Sequence, residues 1–429
     1  MIDGTRRSPS ASSAPSASPH ATDDRDRAAY LDEVCELLWP RPARAAPAPP
    51  SSPGRVHSVT AAADHRLLVL PSRRHPRLLV PARRRPAAAA VRRYGEPASL
   101  PAYLGTRALW LALAAGAGQR FVGDVVRLGA PADAPTIESY LSAQLDRDVE
   151  VSMHLGTARA NRKPVLQLLS PGGSTVGFAK IGTNPLTRRL VRAEQRSLTR
   201  LGRAGLDNAA VPSVLHFGTW HGLDVLILSP LPVWHRRRRL QPGQLSGAMR
   251  EVAQAAGVSV RPLAASPYWA ALRSRVASAD GGADQAALAR ALAGIGERSG
   301  SAELTFGAWH GDWTPWNMAC TRQALLVWDW ERYTEGVPVG FDVLHCWLQT
   351  QVTRRSQAPR AAASACLAQA PALLRPLEAD PDRARLTAIL YLAELSARYL
   401  EDRQAAVNPR LGTPGNWLIP ALTEGTARL

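Results

Sequence analysis

The chain has 429 residues, 45% of them hydrophobic, and a formal net charge of +17 from 52 Lys and Arg against 35 Asp and Glu. This length and apolar fraction indicate a globular protein with more than one domain and exclude a disulfide-stapled mini-protein. Only Lys163 and Lys180 are lysines, so nearly all the positive charge is arginine. A GC-rich genome produces such a bias through its codons, and the basicity is therefore a weak argument for a nucleic-acid partner.

The cysteines and the apolar runs bear on the cellular compartment. The four cysteines form no CxxC pair, which favours a reducing environment. The N-terminus has no apolar stretch of the kind found in secretory signals, and the longest apolar run, Ala108–Gly118, is shorter than the ~20 residues of a membrane span. The sequence thus predicts a soluble, cytoplasmic protein without a membrane partner.

Residues 1–55 have low-complexity composition. Ser, Ala, Pro and Arg dominate the first 25 or so residues, which we expect to be disordered, and 40–54 form a Pro-rich linker. Between them Tyr30–Trp39 has the apolar spacing of a short helix. Because few other groups can dock, we predict that residues 1–55 are dispensable.

Residues 56–145 are predicted to form an N-terminal α+β extension that packs on the lobe following it. Its apolar helix needs a partner surface, and the nearest one begins at Val149. The predicted elements are a hairpin of Arg66–Leu70 and Arg77–Pro81, helices at Ala87–Arg93 and Ala102–Ala115, a strand at Arg120–Leu128 and a helix at Thr136–Leu145.

The remainder predicts a two-lobed α+β fold, with a small antiparallel sheet lobe over 146–231 and a mostly helical lobe over 232–429. In the small lobe the predicted order is three strands, one helix and two strands. These are Val149–Leu155, Val165–Leu169, Thr175–Ile181, the helix Leu186–Leu201, and then Ser213–Phe217 and Asp224–Leu228. Helices follow at about Pro242–Ala256, Pro267–Ala279, Asp284–Arg298, Ala361–Ala372 and Arg383–Ala405.

The segment from Ala308 to Leu344 contains the residue types that phosphoryl transfer requires. Asp312 and Asn317 lie in one loop, and a short strand delivers Asp329. One carboxylate can accept a hydroxyl proton while an amide oxygen and a second carboxylate hold Mg²⁺. Taken singly, Asp312 and Asn317 are equally typical of an ordinary turn.

Three motifs in this segment resemble the aminoglycoside phosphotransferase and choline kinase group, which has the protein-kinase-like fold. They are His310-Gly311-Asp312-x₄-Asn317, Val327-Trp328-Asp329-Trp330-Glu331 and Gly340-Phe341-Asp342. The resemblance covers about Val149 to the C-terminus. It implies that Asp312 is the catalytic base, that Asn317 and Asp329 bind Mg²⁺, and that His310 and Asp342 brace the loop.

The same resemblance predicts nucleotide-binding residues in the small lobe. Lys180, on the third strand, would hold the ATP phosphates, and Glu194, on the next helix, would position it. The neighbouring arginines leave open that Glu194 belongs to a solvated charge ladder. Ser229 and Leu231 would meet the adenine through their backbone. The phosphate-covering loop departs from the family pattern, since 155–159 contain only one glycine.

The predicted function is ATP- and Mg²⁺-dependent transfer of the γ-phosphoryl group to a hydroxyl of a small molecule. The basic chain, with its His235–Arg239 run, favours a neutral or anionic acceptor. Trp313 or Trp316 could face the acceptor, although packing is the favoured use of both. The alternative function is a nucleotide-binding pseudokinase whose basic N-terminal region recruits a partner. A nucleic-acid partner is disfavoured because no recognition motif is present.

Overall fold

The computed structural model describes residues 19–39, 64–93, 100–116, 124–129, 136–156, 161–233, 238–322, 324–402 and 413–429. Its twelve helices within these ranges are α1 (Pro19–Leu38), α2 (Arg84–Arg93), α3 (Leu100–Ala114), α4 (Ile137–Leu145), α5 (Pro185–Ala204), α6 (Pro242–Gln254), α7 (Pro267–Ser278), α8 (Gly282–Ser299), α9 (Phe341–Gln349), α10 (Pro359–Leu374), α11 (Pro381–Glu401) and α12 (Pro414–Thr426). The strands within them are β1 (Asp64–Ser72), β2 (His75–Pro81), β3 (Val125–Gly129), β4 (Glu150–His154), β5 (Val165–Leu169), β6 (Thr175–Gly182), β7 (Ala209–Ala210), β8 (Val214–Trp220), β9 (Leu223–Leu228), β10 (Ser259–Pro262), β11 (Glu303–Trp309), β12 (Met318–Cys320), β13 (Leu325–Val327) and β14 (Thr334–Pro338).

One eight-stranded antiparallel sheet runs through the N-terminal half, in the order β3-β1-β2-β4-β5-β6-β9-β8. The extension joins the small lobe through β2 and β4, where Leu78 pairs with His154 and Leu79 with Met153. The strands of the extension and of the small lobe therefore belong to the same sheet.

Both faces of this sheet are covered at the first hairpin, which explains the uninterrupted apolar runs there. Successive strand residues point to opposite faces. Leu67 and Val69 pack with α1 and α4, whereas Leu68 and Leu70 pack with α2 and α3. The hairpin is consequently buried on both sides.

Helix α1 corrects the expectation of disorder up to about residue 25. The helix begins at Pro19, and its acidic residues are neutralised by ion pairs: Asp24 contacts Arg27 within the helix and Arg77 on β2. Farther along, Leu31 and Trp39 are buried in the core of the sheet. Dispensability stays a prediction for 1–18 and 40–55 alone, which lie outside the described residues.

The C-terminal lobe is built around α11, which is buried on all sides by the surrounding helices. Two three-stranded sheets, β10-β11-β14 and β12-β13-β7, accompany the helices. Of these short strands the sequence predicted only β13, as Ala324–Trp328. It did not predict α12, where the interior Pro420 is atypical of a helix. The predicted two-lobed α+β architecture is confirmed.

Among the described residues, none of the helices combines the length and apolarity needed to cross a bilayer.

Candidate active site

Lys180 joins the two lobes through a pair of carboxylates. Its Nζ lies 2.7 Å from a carboxylate oxygen of Glu194 on α5 and 2.6 Å from Oδ1 of Asp329, which follows β13. Burial by itself would lower the pKa of Lys180, but the charges of Asp329 and Glu194 outweigh it and raise that pKa above its usual range. The lysine is therefore held as an ammonium ion between the lobes.

Glu194 is not part of a solvated charge ladder. It is fully buried and also accepts a hydrogen bond from the backbone N–H of Trp330, 3.1 Å away. Glu194 shares the buried face of α5 with Leu190 and Leu198, one turn to either side, as helical periodicity requires. Burial raises the pKa of the Glu194 carboxyl, and Lys180 opposes that shift.

The loop after β11 is clamped at its base by Asp342, the second residue of α9. The carboxylate accepts backbone hydrogen bonds from His310 at 2.7 Å and from Gly311 at 3.2 Å. Burial nevertheless raises the pKa of Asp342 to about 7. Gly311 has a φ of +84°, and a Cβ there would collide with the carbonyl oxygen of Arg332, so glycine is required at this turn.

The His310 ring connects this loop to the end of β13. Its Nε2–H donates to the carbonyl oxygen of Trp328 over 3.1 Å, and its Nδ1 accepts the Asp312 backbone N–H, also over 3.1 Å. These two bonds require the neutral ring protonated on Nε2. Burial lowers the pKa of His310 to about 4, which agrees with that tautomer.

Both carboxylate oxygens of Asp312 are held by neighbouring side chains. Oδ2 accepts from the Asn317 amide nitrogen at 3.0 Å, and Oδ1 lies 3.1 Å from Nε2 of His345 on α9. The other nitrogen of His345 lies 3.0 Å from the hydroxyl of Tyr391, in the core of the C-terminal lobe. Asp312 keeps 37% of its side chain exposed, so it remains accessible to a substrate.

His345 was not singled out from the sequence, although a signal was present. It follows Asp342 by three residues, a spacing that places the two side chains on the same side of a helix. A helix whose Asp342 clamps the loop therefore also directs His345 toward that loop.

The oxygen donors near Lys180 suit a hard divalent cation. Carboxylate oxygens of Glu194, Asp329 and Glu331 lie within 4.8 Å of one another. Asn317 uses its amide nitrogen on Asp312, so its oxygen is the end available to a cation. Such donors are those Mg²⁺ prefers. Glu331, the member of this set absent from the sequence prediction, is paired with Lys163, which the sequence prediction also missed.

The connection after β9 has backbone groups free for a planar ligand. Ser229 donates its N–H to the Ser213 carbonyl at 2.9 Å, and the Ser213 N–H donates to the Ser229 hydroxyl at 2.8 Å. Among the described residues, neither the Ser229 carbonyl nor the Leu231 N–H has a hydrogen-bond partner. Residues 157–159 of the predicted phosphate-covering loop and 235–237 of the arginine run lie outside the described residues.

The two tryptophans of the loop after β11 differ in their exposure. Trp313 is fully buried and donates its indole N–H to the sulfur of Met318, so it packs the loop. Trp316 is 44% exposed beside Asn317. Of the two candidates for an acceptor contact, only Trp316 is accessible.

A cavity of about 920 Å³ is lined in part by residues that follow Asp329, among them Glu331 and Arg332, and Asp312 is not part of its lining. It reaches Arg398, whose guanidinium donates to the Gly311 carbonyl. Six acidic and four arginine side chains line it. These are Asp280, Glu331, Glu335, Glu394, Glu401 and Asp402, with Arg189, Arg275, Arg332 and Arg398.

No protein-family model and no curated protein matches the sequence. Similar solved structures include a thermostable mutant of the aminoglycoside phosphotransferase APH(4)-Ia, with 14% identity and a TM-score of 0.44 over 68% of this chain and 98% of that chain. Choline kinase LicA from Streptococcus pneumoniae has 14% identity and a TM-score of 0.43 over the same shares. Spectinomycin phosphotransferase APH(9)-Ia, solved with ADP and spectinomycin, has 12% identity and a TM-score of 0.40, again over 68% and 98%.

Proposed function

We propose that the protein is an ATP- and Mg²⁺-dependent phosphotransferase that acts on a hydroxyl group of a small molecule. The observation that carries this proposal is the position of Lys180 between Glu194 and Asp329, with Asp312 and Asn317 joined in the neighbouring loop. Phosphoryl transfer in a kinase-like fold requires a lysine paired with a helix glutamate and an aspartate that holds the metal ion, and Lys180, Glu194 and Asp329 supply these three groups.

Each residue has a role in a direct in-line transfer. The acceptor hydroxyl is oriented by Asp312, whose carboxylate takes the hydroxyl proton as the acceptor oxygen bonds to the γ-phosphorus. The bond to the β,γ-bridging oxygen breaks, and ADP leaves. Lys180 neutralises charge on the phosphates, where electrostatic stabilisation is most effective. Asn317 and Asp329 would hold Mg²⁺, which when bound screens the phosphate charge. His310 and Asp342 keep the loop in place.

The nucleotide base would bind at the connection between the lobes. The Ser229 carbonyl can accept a hydrogen bond from the adenine amino group, and the Leu231 N–H can donate to a ring nitrogen. Pro230 between them has no N–H, so this stretch offers one donor and one acceptor to the base.

The charge of the cavity does not narrow the acceptor class. Arg275 is paired with Glu394 and Glu401, and Arg332 with Asp402, so these cations are already neutralised. Glu331 and Glu335 are paired in the same way with Lys163 and Arg200, so the lining has no clear excess of either charge. We therefore propose a neutral or anionic hydroxyl compound, such as a sugar-like molecule, as the whole-chain charge favours.

The test is an ATP-consumption screen of the purified protein against a library of hydroxyl compounds at millimolar Mg²⁺. Turnover by the wild type, reduced ~10²–10⁴-fold in Asp312→Asn with nucleotide affinity unchanged, is the expected result. Binding of Mg-ATP without turnover on any acceptor would favour the pseudokinase alternative. Absence of any nucleotide binding in titration calorimetry would refute both.

A further inference from the structure

The chain contains two lysines, and both reach the same group of carboxylates. Lys180 contacts Glu194 and Asp329, and Lys163 contacts Glu331, two residues beyond Asp329. We propose that Lys163 is a second phosphate-binding residue, which Glu331 holds in the nucleotide-free protein and which turns to the β- and γ-phosphates of ATP. This inference rests on the proposed function and adds a residue to it.

Strand geometry places the two lysines on the same face of the sheet. Val165 on β5 is paired directly with Lys180 on β6. Directly paired residues share a face, and residues two apart in an extended segment also share one. Lys163 precedes Val165 by two positions, and its contact with Glu331 places it on the side on which Lys180 meets the carboxylates.

The neighbouring cation, Arg162, points the other way. Its guanidinium lies 3.8 Å from the ring centroid of Tyr30 on α1, a cation–π contact. Asn161, before it, donates to Glu331 over 3.3 Å. The segment is thus fixed between α1 and the C-terminal lobe, with Lys163 directed into the cleft.

The burial of the Lys163–Glu331 pair indicates that the pair has a role other than stabilising the fold. Their side chains are only 8% and 4% exposed. Removing two charges from water costs about as much as their attraction returns, so a buried ion pair adds little net stability. The site, however, holds three carboxylates and two ammonium groups. When a divalent cation and a polyphosphate bind together, the carboxylates can bind the cation and the ammonium groups can bind the phosphates.

The exchange follows from the chemistry of the two partners. A carboxylate that loses its ammonium partner beside Asp329 becomes a further oxygen donor for a divalent cation. The released ammonium is a compact point charge on a flexible stem, which suits phosphate oxygens. The rival explanation is a fixed clip that merely ties the loop to the C-terminal lobe.

Lysine labelling distinguishes these explanations because the chain has only two target side chains. An acyl-phosphate derivative of ATP carries its acyl group on the γ-phosphate. A lysine amine close to that phosphate attacks the acyl carbonyl, an amide forms, the acyl–oxygen bond breaks, ATP is released and the amine loses its proton to solvent. Peptide mass spectrometry then reports each lysine separately, without any acceptor.

We expect labelling of both Lys163 and Lys180, and protection of both by excess Mg-ATP. Labelling of Lys180 alone would refute the role of Lys163 while leaving ATP binding intact. Failure to label either lysine, with no heat in titration calorimetry, would refute the proposed function and this inference with it.

Affinity measurements provide a second readout. Lys163→Gln should weaken Mg-ATP binding about tenfold, the value of one charge-assisted hydrogen bond, and leave adenosine binding unchanged. Lys163→Arg should retain most of the affinity. The matched control is Arg83→Gln, which removes a mostly exposed positive charge paired with Glu150 and should change neither affinity. Equal losses for ATP and adenosine in Lys163→Gln would indicate the structural clip and overturn the proposal.

Discussion

The hydrogen bond from His345 to Asp312 allows a direct test of how the proposed catalytic base is oriented. Its Nε2 lies 3.1 Å from Asp312 Oδ1, and Tyr391 lies 3.0 Å from its other ring nitrogen. If Tyr391 donates its O–H to Nδ1, the neutral ring must carry its proton on Nε2 and donate it to Asp312. With Asn317 on Oδ2, the carboxylate is then held at both oxygens.

Replacing His345 by Leu removes the donor to Asp312 and keeps an apolar side chain in the buried position. A hydrogen bond to a charged group is worth about 1.5–3 kcal/mol, which corresponds to about a 10- to 150-fold change in rate if it acts wholly in the transition state. We expect kcat to fall by about that factor, with the affinity for Mg-ATP unchanged. Gln at 345 can present a donor nitrogen near the position of Nε2 and should recover most of the loss.

The assay is steady-state turnover with the acceptor found in the screen, or background ATPase activity, together with calorimetric nucleotide affinity. A double-mutant cycle separates positioning from general damage: in an Asp312→Asn background, His345→Leu should produce little additional loss. Thermal unfolding of each variant checks that the fold persists. Wild-type kcat in the Leu variant, or equal losses in the Leu and Gln variants, would refute the reasoning.

Three further outcomes follow from other contacts. Lys180→Met should abolish Mg-ATP binding in calorimetry while leaving adenosine binding measurable, and equal loss of both would contradict phosphate binding. Tyr30→Ala should lower the free energy of unfolding, measured in urea, by about 3–5 kcal/mol, because it empties a core position and removes the Arg162 contact. Tyr30→Phe should leave that free energy unchanged, since no described group forms a hydrogen bond with the hydroxyl. Because burial holds His310 neutral with a pKa of about 4, its protonation in the unfolded chain removes stability as the pH falls from about 6.5 to 4. Asp342 has the opposite effect. Its pKa is about 7 in the folded protein, so as the pH falls from about 7 to 4 the folded protein binds a proton that the unfolded chain does not, and the free energy of unfolding rises. Asp342→Asn should therefore lose stability more steeply than the wild type on acidification, measured by urea unfolding, and an unchanged slope would refute this account.

Local spacing was sufficient to predict that Asp312 and Asn317 lie together. Asp312 and Asn317 are close in the chain, and the loop between them is broken by a proline, so their proximity follows from a few backbone angles. Lys180 was found because strand alternation and its rarity single it out. The lobes themselves followed from the change between strand and helix periodicity.

The helix at the N-terminus was underestimated because its stabilising contacts are distant. The polar residues before Tyr30 cannot form a core by themselves, and their charges are neutralised by residues on β2 more than fifty positions away. Composition shows that the segment is polar but does not show its ion-pair partners on β2, and a polar segment without such partners is expected to be disordered.

The pairs that complete the site were decided only by the tertiary structure. Lys163 and Glu331 are 168 residues apart, and His345 reaches Asp312 across 33 residues because α9 packs beneath the loop. The charge of the cavity likewise differs from that of the whole chain, since arginines and carboxylates far apart in sequence are brought together there. Periodicity and spacing describe which way a side chain faces within its own element, whereas packing decides which elements meet, and it was packing that joined both lysines to one group of carboxylates.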